Sequence, residues 1–159
     1  MRNKMILIVV VIVVLFAGLM LVTNMKNKQT IEDNNPYDKT NLQQPTVDLL
    51  DDPNYQNIIV PDDLDEKLDN DESVTVYYFS PTCSYCQQAT PIVSPLADDL
   101  GVDMKKLNLL EYDKMDYYDI QGTPTLIHYE NGEEVARVEG LPENAEEAYE
   151  NFFETYVLN

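Results

Sequence analysis

The sequence has no tryptophan, a single histidine and only two cysteines. Two cysteines cannot build a larger disulfide framework. A closed zinc site normally takes four ligands, and neither the histidine nor any further cysteine lies near the pair in sequence. Positive charge is also scarce, with ten Lys and Arg against 29 Asp and Glu. From Glu32 onward there are six positive against 29 negative residues, a net charge of −23. Binding to phosphate backbones needs basic patches, so nucleic acid is excluded as a partner. The same charge argues against a domain lying flat on anionic lipid. The acidic runs read as a solvated surface that aids solubility.

One long apolar run is present. Residues 5–22 read MILIVVVIVVLFAGLMLV, 18 residues without charge. A helix of that length rises about 27 Å, close to the hydrocarbon core of a bilayer. A cleaved signal peptide is the alternative. Its apolar region would usually be only about 7–15 residues, followed by a small-residue site. Here Ala17-Gly18 is followed by Leu19, Met20 and Leu21, so the run reads as an uncleaved anchor. Arg2 and Lys4 precede it; Lys26 and Lys28 follow it. That tie is broken by the α-amino group and the short leading segment. Residues 1–4 are then cytoplasmic, and all that follows the single-pass anchor lies on the extracytoplasmic side of the cell membrane.

Residues 23–45 are polar, carry Pro36 and Pro45 and have no apolar period. They are expected to be a flexible linker with a reach of about 25–30 Å. Residues 46–159 then form the folded domain. There, 57–60 is a short apolar run, and Pro61 with its following acids opens a helix with Leu64 and Leu68 inward. Residues 73–79 (SVTVYYF) read as a strand buried on both faces. Residues 83–100 read as a helix stopped by Gly101 and kinked at Pro91 and Pro95. A third strand follows at 103–110 and a short helix at 112–119. Strands at 124–130 and 133–139 are joined by Asn131-Gly132, a strong hairpin signal. A last helix opens at Pro142, with Ala145, Ala148, Tyr149, Phe152, Phe153, Tyr156 and Val157 expected on one buried face. This order predicts an α/β fold, a mixed central sheet with helices on both faces.

Cys83 and Cys86 form a C-x-x-C pair where a buried strand gives way to a helix. A helix N-terminus offers unpaired N–H groups and partial positive charge, which favour thiolate over thiol. Free cysteine titrates near 8.5, whereas such positions fall to roughly 3.5–7.5. Cys86 lies one turn further, within reach of the Cys83 sulfur. It can attack a mixed disulfide formed on Cys83 and release the product. As a structural disulfide the pair would close too short a loop to stabilise the fold much.

From about residue 57 to the C-terminus the sequence resembles the thioredoxin family. Beyond the C-x-x-C, the match rests on Pro91 five residues after the second cysteine, Thr123-Pro124-Thr125, Lys106-Leu107-Asn108, and Asn131-Gly132 with Gly140. The resemblance implies a thioredoxin-like fold, a cis bond between Thr123 and Pro124, and a loop there that packs beside the cysteines. Thr123 and Pro124 would then bind substrate peptide through the backbone. It also implies that Cys83 and Cys86 are a redox-active disulfide pair needing no cofactor. Three positions depart from the family. Thr82 replaces the usual Trp, Ser84-Tyr85 replaces Gly-Pro, and Tyr77 replaces a buried Asp thought to deprotonate the second cysteine. Lys106 thereby lacks its usual carboxylate neighbour and reads as a surface lysine. His128 reads as a plain strand residue.

The expected activity is thiol–disulfide exchange with exported proteins or a partner oxidoreductase. A reductant's direction is favoured, because no positive side chain lies between the cysteines to stabilise a very acidic thiol. Electrons would then come from a separate transmembrane partner. A metal-binding or copper-chaperone module on the same fold is the alternative, since paired thiolates bind soft metals.

Overall fold

A computed structural model describes residues 2–33 and 35–159. Helix α1 spans Arg2–Asp33. Within it Lys4–Met25 is long and apolar enough to cross a membrane, with a mean hydropathy of 3.4 and none of it buried against protein. By length and composition this segment could be an anchor or a signal sequence.

Where a flexible linker is expected at 23–45, the chain does something else. Helix α1 continues to Asp33. Tyr37 is then buried, and with Val47 and Leu50 it forms a small cluster against Leu42, Ile58 and Tyr112. The short helix α2 (Gln44–Val47) begins inside this segment, and a 3₁₀ turn at Pro53–Tyr55 follows it. The apolar residues here are too few and too irregularly spaced to show a period, yet a neighbouring surface buries them.

Helix α3 (Pro61–Asp69) opens with Pro61 and carries Asp62 and Asp63 in its first turn, where the dipole favours them. Strand β1 (Val74–Phe79) is buried throughout, helix α4 covers Ser84–Asp99, and β2 is Met104–Asn108. Strands β3 (Thr125–Glu130) and β4 (Glu133–Glu139) form the hairpin, and α5 is Ala145–Tyr156. The four-stranded sheet has the order β2-β1-β3-β4. Strands β1 and β2 are parallel, with Phe79 opposite Asn108; β3 runs antiparallel to β1, with Tyr78 opposite Thr125.

Alternate residues of β1 serve two cores. Tyr77 and Phe79 meet Cys86, Ala89 and Val93 of α4 and Tyr149, Phe152 and Phe153 of α5. Val74, Val76 and Tyr78 meet Leu64 of α3 together with Tyr118 and Ile120. The sheet is therefore mixed and covered on both faces, and a continuously apolar strand is what such burial requires.

Two expected elements shrink. The strand at 57–60 is reduced to one bridge between Ile58 and Lys106. Asn57 has φ 63° and Pro61 already begins α3, which leaves too little extended chain. The helix at 112–119 is a series of turns. Tyr112 bonds four residues back to Asn108 and Tyr118 to Lys114, but no ladder joins the two among the described residues, and Asp119 at φ 50° ends the run. Turning Tyr118 and Ile120 inward, with Tyr112 and Met115 packed partly buried beside them, takes precedence over a helical ladder there. The last helix starts at Ala145 rather than Pro142, with Asn144 as its N-cap.

Candidate active site

After Phe79 the chain leaves β1 through a tight turn in which the Cys83 N–H donates to the Ser80 carbonyl at 3.0 Å. That turn places Cys83 at the N-cap of α4. An N-cap side chain normally accepts a bond from an amide of the first turn. Here the acceptor is sulfur, and the Cys86 N–H points at Cys83 Sγ over 3.4 Å. On its other side Cys83 Sγ donates to the Thr123 carbonyl at 3.1 Å. The bond between Thr123 and Pro124 is cis, as the resemblance implies. Cys83, Cys86, Thr123 and Pro124, far apart in sequence, thus meet at one end of the sheet.

The two thiols differ. Burial works upward on Cys83, but hydrogen bonding from the Thr123 side chain and from the amides of Cys86 and Tyr85 prevails, and its pKa falls below the ordinary value. Cys86 is fully buried, and burial pushes its thiol up to about 12. The negative charge of Cys83 adds to that rise, while bonds from the Ser80 backbone and Thr123 oppose it. The partly exposed sulfur is the acidic one and the buried sulfur the reluctant one. This asymmetry suits attack by the first and delayed attack by the second.

Hydroxyl groups surround Cys86. Thr90, one turn further along α4, donates to the Cys86 carbonyl at 2.7 Å. The Tyr77 hydroxyl donates in turn to Thr90 Oγ1 at 3.1 Å. Burial raises Tyr77 well above the ordinary tyrosine range, so it offers a hydrogen bond and not a base. Tyr55 and Tyr149 are raised by burial too, and each also feels the charge of Cys86. Thr90 had a sequence signal, since a threonine four residues after Cys86 in a helix can bond back to that carbonyl. Tyr55 and Tyr149 had none, because other segments bring them in.

Lys106 is a correction. It is only 4% exposed, not a surface lysine, and burial lowers its pKa while Asp98 on α4 partly restores it. Its strand position, opposite Tyr77, turns it under α4. His128 is buried in β3, bonded through Nδ1 to Thr75 Oγ1 at 2.9 Å. Its strand position sets it toward the middle of β3, away from the end that carries the cysteines.

The thioredoxin family model, described as "Thioredoxin", matches residues 56–153. A thioredoxin of Chlamydia pneumoniae is 41% identical over 70 residues, which is 43% of this chain and 69% of that one. Protein disulfide isomerase-like 1-4 of Arabidopsis thaliana is 27% identical over 64% of this chain, a stretch that makes up 18% of that protein. Among solved structures, a mutant thioredoxin from Halobacterium salinarum superposes with a TM-score of 0.53 at 26% identity, covering 65% of this chain and 92% of that one. The J-Trx1 fragment of ERdj5 gives a TM-score of 0.57 at 19% identity, over 71% of this chain and 56% of that one, and so shares the fold. With its strand order, its strand-to-helix cysteine pair and a family match across most of the folded part, the chain belongs to the thioredoxin family of thiol–disulfide oxidoreductases.

Proposed function

We propose that this chain is a membrane-anchored thiol–disulfide oxidoreductase that works through Cys83 and Cys86 on the extracytoplasmic side. The Cys83 thiolate attacks a disulfide of the partner protein. One S–S bond forms between Cys83 and the partner, and the partner's other sulfur leaves as a thiolate. Cys86 then loses its proton and attacks Cys83 Sγ, which closes the Cys83–Cys86 disulfide and expels the partner's second thiolate. The partner gains two electrons and the domain gives up two. Run in reverse, the same steps oxidise a partner dithiol.

The observation that carries this reading is the unequal pair: a partly exposed Cys83 sulfur at a helix N-cap, lowered in pKa, beside a buried Cys86 raised to about 12. Thr123 and Pro124 stand against the reactive sulfur, where an incoming peptide would pair with the Thr123 backbone. Their nearness to Cys83 supports a substrate-binding role. The reducing direction is favoured, since Ser84 and Tyr85 add no positive charge beside Cys83. A couple at about −270 to −200 mV goes with that direction, with electrons delivered by a separate transmembrane protein. The α1 helix supplies the anchor.

Cys83→Ala is expected to abolish exchange, and Cys86→Ser to accumulate mixed disulfides in the membrane fraction. Rapid alkylation of Cys86 alone near neutral pH would reverse the two roles. Protease added to intact protoplasts should remove the domain; recovery of a soluble form beginning near residue 19–25 would show a signal peptide instead.

A further inference from the structure

The segment between α1 and the family-matching part is tied to one particular place. The Asn108 side-chain amide, at the C-terminal end of β2, donates to Thr46 Oγ1 at 3.1 Å and to the Tyr37 hydroxyl at 3.5 Å. The Gln43 N–H donates to Glu111 Oε1 at 2.9 Å, and the Gln43 side chain to the Leu110 carbonyl at 2.6 Å. Lys39 pairs with the Glu111 carboxylate at 3.6 Å, donates to the Glu111 carbonyl and stands over the Tyr112 ring. The Tyr112 hydroxyl donates to the Tyr37 carbonyl. The Glu111 side chain is 3% exposed, so this acid is buried against its partners and is not a loose surface contact. A buried carboxylate held by a cation and a backbone amide fixes geometry, because removing either partner leaves a costly charge.

The place matters because of strand direction. Asn108 lies opposite Phe79, the last residue of β1, and the Leu109 N–H donates to the Phe79 carbonyl at 2.8 Å. Cys83 follows Phe79 by four residues, and Pro124 immediately precedes β3 at that same end. The strap of residues 35–50 therefore enters the domain at the end that carries Cys83. The far end is the Asn131–Gly132 turn, one strand length away, about 20 Å. From Met25, where the apolar span ends, α1 rises about 12 Å to Asp33, and the next four residues add at most about 14 Å.

We propose that the strap presents the redox end of the domain to the membrane, so that Cys83 exchanges with cysteines of an integral membrane protein close to the bilayer surface. This rests on the reading of α1 as an anchor. A membrane partner gains a high effective concentration at matched height. The step is the one written above, forward on a disulfide of that partner or in reverse on its dithiol, with two electrons passing between the Cys83–Cys86 pair and one cysteine pair of the partner.

The full chain in nanodiscs that contain a gadolinium-chelating lipid tests this. Amide signals of Thr82, Tyr85 and Gly122 are expected to relax faster than those of Asn131 and Gly132 by at least about threefold, since the two ends differ by about 20 Å in height. A flexible insertion of Gly and Ser after Asp33, which leaves the strap contacts intact, should erase the difference. Equal or inverted enhancement in the uninserted chain would overturn the proposed orientation while leaving the anchor standing. A chain that elutes apart from the nanodiscs would overturn both. In a second arm the probe is a phospholipid with a pyridyl disulfide headgroup. The insertion should slow release of pyridinethione from it at least about tenfold, through lost effective concentration, and leave the rate with soluble dithionitrobenzoate unchanged. An equal fall with both probes, or no fall with the lipid, would overturn the proposal.

Discussion

In the proposed exchange, the buried thiol of Cys86 is expected to make resolution of the mixed disulfide the pH-limited step. An ordinary thiol at 9.0 is about 1% thiolate at pH 7, whereas one at about 12 is thiolate only about one part in 10⁵. A more basic thiolate is a better nucleophile, with a Brønsted slope of about 0.4–0.5, which returns a factor of about 15–30. The net expectation is a resolving step about 30–60 times slower at pH 7 than an exposed thiol would give in the same geometry. Bonding Cys83 to a partner removes its negative charge, which eases the rise. The larger cause, burial, remains. Reduced protein mixed with excess dithionitrobenzoate should release two equivalents of the coloured thiolate. The first, bimolecular phase reports Cys83 and should flatten with pH below 9. The second, intramolecular phase reports Cys86 and should climb about tenfold per pH unit from 7 to 9 without a plateau. A second phase that levels off by pH 8 would refute the reasoning, since some group would then be deprotonating Cys86.

Gly132 has φ +75° and an added Cβ would run into the Leu68 carbonyl, whereas Gly101 has φ +71° and open space around it. Gly132→Ala should therefore cost about 2–4 kcal/mol and Gly101→Ala only about 1–2 kcal/mol in urea unfolding; equal losses would show that backbone strain alone matters. Burial lowers the pKa of His128, against an opposing pull from Glu130. The unfolded chain then binds the extra proton more readily, so stability is fully present above pH 6.5 and falls as pH drops below it. His128→Gln should remove part of the loss in unfolding free energy between pH 7 and 5.5, and an unchanged loss would assign the acid sensitivity elsewhere.

The strongest local signals were legible because each is decided within a few residues. The continuous run 74–79 could only be a doubly buried strand, and Asn131-Gly132 could only turn back on itself. Cysteines three apart at a strand-to-helix junction needed no tertiary information to suggest an N-cap sulfur with its partner one turn on. Tertiary contacts decided the rest. The segment 23–45 lacks any apolar period, so nothing local marks Tyr37 as a partner of Asn108, or Lys39 and Gln43 as partners of Glu111. Residues 112–119 have helical composition, but burying Tyr118 while Met115 packs beside it stabilises turns instead. Lys106 is polar by type, yet it is buried once residues 57–59 and the other elements pack around its strand. The sequence by itself determined the longer strands and helices and the placing of the cysteine pair at a strand-to-helix junction, because hydrophobic period, turn chemistry and helix-end electrostatics act over one or two turns of chain. Only the tertiary structure decided how unequal the two thiols are and which end of the sheet the strap grips, because burial and long-range hydrogen bonds exist only once distant segments have packed.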